Sequence, residues 1–163
     1  PKGHLGGSEY LSLLHGVERG TPPPLDIARE KALLRLLQKL AQEKLVRSLH
    51  ACSDGGLLVA VAECSLGPRE GHGVTLSLQA RGMRLDGLLF GEDASRVVVS
   101  CDPPKVQKIV EMAQQAGIEA TLIGMVGGDR FEVHVEGQPM VNLEISAVRA
   151  AWENGFAQVL SAR

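Results

Sequence analysis

IEATLIGMVGGDRFEVHVEGQPMVNLE, Ile118 to Glu144, is where the hydrophobic period of this chain switches from helix to strand. Phe131, Val133 and Val135 alternate with Glu132, His134 and Glu136. That period of two predicts a strand with one buried and one wet face. IEATLIGMV before it and EGQPMVNLE after it predict two further strands. Gly127 and Gly128 lie between two strands, so they read as a hairpin turn; a dinucleotide site would need a helix next, and a strand follows.

Upstream, DPPKVQKIVEMAQQAG predicts a helix. Asp102 stands at its cap, Pro103 at its first position, Val106, Ile109, Val110 and Ala113 on one stripe, and Gly117 at its end. GVTLSL and RVVVSC are β-branched runs and predict strands. Between them MRLDGLLFGEDAS predicts a short helical segment, then a loop with Gly91, Glu92 and Asp93 in solvent. Downstream, Ile145, Val148, Trp152, Phe156 and Val159 form the stripe of a closing helix. Near the start, Glu9 to His15 predicts a helix stopped by Gly16. The prolines of ERGTPPPLD predict an extended connector from Thr21 to Leu25 that delivers Asp26 as an N-cap. The helix it caps carries Leu33, Leu36, Leu37, Leu40 and Leu45 on one face, opposite Arg35, Lys39 and Glu43. The pattern predicts a single α+β domain over residues 1–163: a mixed β-sheet with packed helices, its second half resembling a ferredoxin-like arrangement.

Composition narrows the function classes. The 163 residues carry 17 Lys and Arg against 19 Asp and Glu. A balance of this kind gives no electrostatic reason for a nucleic acid partner. Cys52, Cys64 and Cys101 form no CxxC pair and no Cys/His ligand spacing, which supports neither zinc nor a disulfide framework. No segment reads as a signal peptide or as a membrane span, so no membrane partner is expected.

The stretch with the most chemical content is HACSDGGLLVAVAE, His50 to Glu63. Ser53 reads as the N-cap of an apolar helix from Asp54 to Ser65. The unpaired N–H groups of a helix start favour an anion, and Gly55 and Gly56 leave room for a phosphate. The same glycines also suit close packing against a neighbouring element, and both readings stand. His50, Ser53 and Asp54 invite a catalytic triad, but their crowding into one segment and the lack of GxSxG argue against it. Glu92, Asp93 and Arg96 in FGEDASR suit a metal or phosphate, or a solvated turn with a local ion pair. His4, His15, His72 and His134 are scattered and give no metal ligand set.

Five blocks, LGGSEYLSLLHG, GTPPPLDIAREK, LVRSLHACSDGGLLVAVAE, LLFGEDASRVVVS and IGMVGGDRFEV, together resemble the C-terminal domain of the phosphoribosylformylglycinamidine synthase family, within the aminoimidazole ribonucleotide synthetase superfamily. The resemblance implies an ATP-dependent ligase of purine biosynthesis in the cytoplasm. Such an enzyme converts formylglycinamide ribonucleotide and glutamine-derived ammonia to the amidine, with ATP and Mg²⁺ as cofactors. It implies upstream domains of the same chain, a glutaminase subunit and a small bridging subunit as partners. The family's catalytic histidine, ATP-binding residues and main Mg²⁺-binding acids lie upstream of the matching region. This chain is therefore expected to be a fragment, a scaffold and auxiliary nucleotide wall with no catalytic residue of its own.

By the same resemblance Ser53, Asp54, Gly55 and Gly56 are the candidate nucleotide-binding residues. The position after His50, where the family has a metal-binding acid, is Ala51, so no metal site is expected. Two other readings of the chain are a free-standing small-ligand-binding module and a domain of another ATP-dependent synthetase of the superfamily.

Overall fold

Helix ends follow local chemistry. The computed structural model describes residues 2–67 and 71–161, the last six of these by backbone alone. Helix α1, Glu9–His15, starts where the Ser8 hydroxyl accepts from the Leu11 N–H at 3.3 Å, and it stops at Gly16, which is left-handed. Helix α2, Ile27–Gln42, starts where the Asp26 carboxylate accepts from the N–H groups of Ala28 and Arg29 at 2.9 and 3.0 Å. Both caps satisfy N–H groups that a helix start leaves unpaired.

Contacts divide the chain into two compact units: Pro1–Val61 with Gly82–Leu122, and Ala62–Arg81 with Ile123–Arg163. In the first unit Leu36, Leu40 and Leu45 pack with Ile109, Met112 and Ala113 of helix α5, Val106–Gln115. Leu45 lies beyond the end of α2. The chain turns through left-handed Lys44, and the Leu45 N–H donates to the Leu40 carbonyl at 2.9 Å, which returns Leu45 to the core. Burying each such aliphatic side chain contributes about 1.5–3 kcal/mol. Asp102 does not cap α5 as expected. Pro103–Lys105 form a 3-10 turn ahead of the helix, and the Asp102 carboxylate faces the cations Arg47 and Lys105, each at 2.9 Å. The same unit holds a ribbon of β1, Ser48–Ala51, antiparallel to β3, Val97–Ser100. Strand β1 is only four residues long, with alternating half-buried and exposed positions, and β3 pairs with it along its whole length.

Helix α3, Gly56–Leu66, runs from the first unit into the second. The second unit carries a four-stranded mixed sheet in the order β4-β2-β5-β6: Gly124–Val126, Val74–Leu78, Arg130–Val135 and Gln138–Glu144. Strands β2 and β5 are parallel and the other pairs antiparallel. Val74, Leu76, Leu78, Phe131, Val133 and Val135 line its buried face, as the alternation predicted. The α+β class with a mixed sheet is as expected.

Three expectations need correction. The Gly127–Gly128 turn is not a hairpin, because β4 and β5 lie on opposite sides of β2. The chain wraps instead around the start of β2: the Gly73 N–H donates to the Gly128 carbonyl and the Gly127 N–H to the Gly73 carbonyl, at 2.9 and 2.8 Å. A strand also needs a partner ladder, and β2 pairs with β4 only from Val74 to Leu76, with one further bond from the Ser77 N–H to the Ile123 carbonyl at 2.8 Å, so of IEATLIGMV only Gly124–Val126 is strand. Last, the closing helix α6, Ile145–Ser161, half-buries Ile145 and Val148 but leaves Trp152 58% exposed. The side chains of Phe156 and Val159 lie outside the described residues.

Candidate functional site

The ribbon of β1 and β3 delivers the Ser53–Gly56 turn. Ala51 pairs with Val97, and the Cys52 N–H extends the ladder by donating to the Arg96 carbonyl at 2.9 Å. The chain then enters α3 two residues later than expected. Gly55 and Gly56 are both left-handed, with φ of 75° and 69°. Ser53 serves the helix start through its carbonyl, which accepts from the Gly56 N–H at 2.9 Å. Ser53 and Asp54 are exposed, whereas Gly55 and Gly56 are buried.

The space around the two glycines is already filled. A Cβ on Gly56 would stand 2.6 Å from the Phe90 carbonyl carbon and 2.8 Å from the Gly91 oxygen. One on Gly55 would stand 2.5 Å from a Val59 methyl. Gly56 thus lets α3 start flush against the end of helix α4, Leu85–Phe90, which is the close-packing reading. An anion also meets the turn, and it belongs to the protein: Glu92 Oε1 accepts from the Gly55 N–H at 2.8 Å.

The FGED segment is therefore not the solvated loop that its composition suggested. Gly91 is buried, and Glu92 and Asp93 are half-buried. Glu92 Oε1 accepts a second hydrogen bond, from the Glu9 N–H at the start of α1, at 2.9 Å. Asp93 accepts from the N–H groups of Lys2, Gly3 and His4 at 2.7, 3.0 and 3.3 Å. Burial by itself would raise the Asp93 carboxyl, but the amides of Gly3, Lys2 and His4, with the Arg96 charge, hold it below its ordinary range. Among the described residues Arg96 makes no ion pair within hydrogen-bond reach; its Nη2 donates to the Leu88 carbonyl at 3.4 Å and its Nη1 is buried with no hydrogen-bond partner there.

Chemically, the turn offers an exposed hydroxyl and an exposed carboxylate on a rigid base. The triad reading fails on geometry: the His50 Nδ1 lies 2.7 Å from the Ala51 carbonyl oxygen, and Ser53 and Asp54 face solvent. Ala51 gives position 51 no side-chain ligand atom, and the described residues contain no group of three or more His, Cys, Asp and Glu able to hold a metal ion. Glu92 and Asp93 are the residues that sequence reasoning undervalued. The one available signal was an acidic pair placed between the apolar runs LLF and VVV.

A family model described as AIR synthase related protein, C-terminal domain, matches residues 2–136. Among curated proteins, phosphoribosylformylglycinamidine synthase subunit PurL of Anaeromyxobacter sp. (strain Fw109-5) is 40% identical over 169 residues, covering 98% of this chain and 21% of that protein. The PurL subunit of Moorella thermoacetica is 36% identical over 159 residues, with the same coverages. The chain thus spans about a fifth of the length of these relatives. Among solved structures, phosphoribosylformylglycinamidine synthase II of Thermotoga maritima matches with a TM-score of 0.69 at 20% identity, over 77% of this chain and 22% of that one. A PurLQS structure from Thermotoga maritima matches with a TM-score of 0.68 at 20% identity, over 88% of this chain and 24% of that one. At such identity these two show the fold.

Proposed function

The chain belongs to the AIR synthase related C-terminal domain family, and from that premise we propose that it is the C-terminal domain of a PurL-type phosphoribosylformylglycinamidine synthase. In such an enzyme ATP phosphorylates the amide oxygen of formylglycinamide ribonucleotide. Ammonia from glutamine then displaces phosphate, leaving the amidine, ADP and phosphate. ATP and Mg²⁺ act in the parent enzyme's catalytic centre, in the cytoplasm. No helix among the described residues is long and apolar enough to cross a membrane. The observation that carries the reading is the 98% coverage of this chain, at 40% identity, by a PurL subunit.

This chain's part is structural, with one wall facing a nucleotide. On that wall Ser53 and Asp54 are the exposed groups of the turn, and a nucleotide would meet the serine hydroxyl. Gly55 and Gly56 shape the wall rather than bind, since Glu92 already holds the Gly55 N–H. The partners are upstream domains of the parent chain, a glutaminase subunit and a small bridging subunit; the PurLQS assembly of Thermotoga maritima is consistent with partners of this kind.

The test is reconstitution. A PurL chain lacking its C-terminal fifth is mixed with this domain, a glutaminase subunit and a small bridging subunit, and amidine formation is measured. Activity is expected with the domain present and not with the domain alone. A truncated enzyme that stays inactive although the added domain binds it would count against the assignment.

A further inference from the structure

We infer that Glu92 is a positioning residue that locks the pose of α1 to that of the Ser53–Gly56 turn, so that the outward presentation of Ser53 and Asp54 depends on one carboxylate oxygen. Two main-chain donors far apart in sequence converge on that atom: the Glu9 N–H at 2.9 Å and the Gly55 N–H at 2.8 Å. A carboxylate oxygen has two lone-pair directions, and both are used here. Among the described residues no cation pairs with Glu92, so the charge is met by backbone dipoles.

Nothing in this arrangement is slack. The Glu92 N–H donates to the His4 carbonyl at 2.9 Å, and Asp93 grips the three amides of residues 2–4. The segment that carries Glu92 is thereby fixed to the chain that leads into α1. Tyr10 of α1 stacks on Phe90 with ring centroids 4.8 Å apart, a second tie between the same two segments. On the other side Gly56 is pressed against the Phe90 and Gly91 backbone, so the turn cannot back away from Glu92. A displacement of α1 must either break one of the two bonds to Oε1 or carry the turn with it.

The consequence for binding rests on the nucleotide-wall reading above; the mechanical coupling does not. Amide hydrogen exchange in the 163-residue chain tests the coupling, and ADP titration tests the consequence. In Glu92→Ala the Glu9 and Gly55 amides should lose protection together, by about tenfold or more, while Val133 in the other unit keeps its own. Glu92→Gln keeps an acceptor oxygen at the same reach and should retain both. Glu92→Asp keeps the charge but is one methylene shorter, and should lose at least one of the two bonds. ADP affinity should fall about tenfold in Glu92→Ala and recover in Glu92→Gln.

Unchanged Gly55 protection in Glu92→Ala, or equal losses in the Gln and Ala variants, would overturn the proposal. If Glu92→Ala does not fold, the contrast between Gln and Asp decides. Failure of the wild-type chain to bind ADP would remove the nucleotide reading, and amide exchange would still decide the coupling.

Discussion

Two glycine pairs beside an acid, SDGG at residues 53–56 and VGGD at 126–129, look alike as text and do different jobs. Gly55 and Gly56 are buried and left-handed, and a Cβ on either would collide with atoms within 2.6 Å. Gly127 and Gly128 are exposed, and a Cβ on either meets nothing within 4 Å. The first pair is needed for conformation and space together. At the second, left-handed Gly128 is needed for conformation only. The acids diverge as well. Asp54 is exposed and the turn's anion comes from Glu92, whereas Asp129 serves through its carbonyl, which accepts from the Ile145 N–H at 2.9 Å.

The largest effect is expected at Gly56. Alanine there adds a left-handed penalty of about 1–2 kcal/mol to an overpacking cost of about 1–3 kcal/mol, because the atoms it meets are backbone. Urea denaturation of Gly56→Ala should show a loss of about 2–5 kcal/mol. Gly55→Ala should lose less, about 1–4 kcal/mol, since the Val59 side chain can rotate away. A ranking of Gly55 above Gly56 would mean that the Phe90–Gly91 backbone yields more easily than a side chain.

Gly128→Ala pays for conformation alone, about 1–2 kcal/mol. If its midpoint shift equalled that of Gly56→Ala, the distinction between the two pairs would collapse.

The smallest effect concerns pH. Asp93 is depressed in the folded chain, so its contribution is fully present above the unfolded value of about 3.9 and is lost as pH falls through the lower folded value. Asp93→Asn should flatten that part of the acid limb in denaturation curves taken between about pH 2 and pH 5, and leave the shape unchanged above it. An unaltered acid limb would show that the Lys2–His4 amides do not favour the ionised form.

Much of the local structure was legible. Asp26 capped its helix, Gly16 ended one, and Phe131, Val133 and Val135 turned inward together, because caps and periodicities act within a few residues. The strand order was not. Adjacent β4 and β5 do not pair, and β2, about fifty residues earlier in the chain, separates them; nothing in GMVGGDRFEV announces this. The candidate site divides in the same way. A reader of SDGG could see a turn with room for an anion and two glycines suited to close packing. Tertiary structure decided the packing half, since Gly56 lies against Phe90 and Gly91, and it set the Glu92 carboxylate on the Gly55 N–H. The physical reason is distance along the chain. Glu92 and Asp93 answer N–H groups 37 to 91 residues away, and a polar group's partners at that range are set by the fold rather than by its neighbours in sequence.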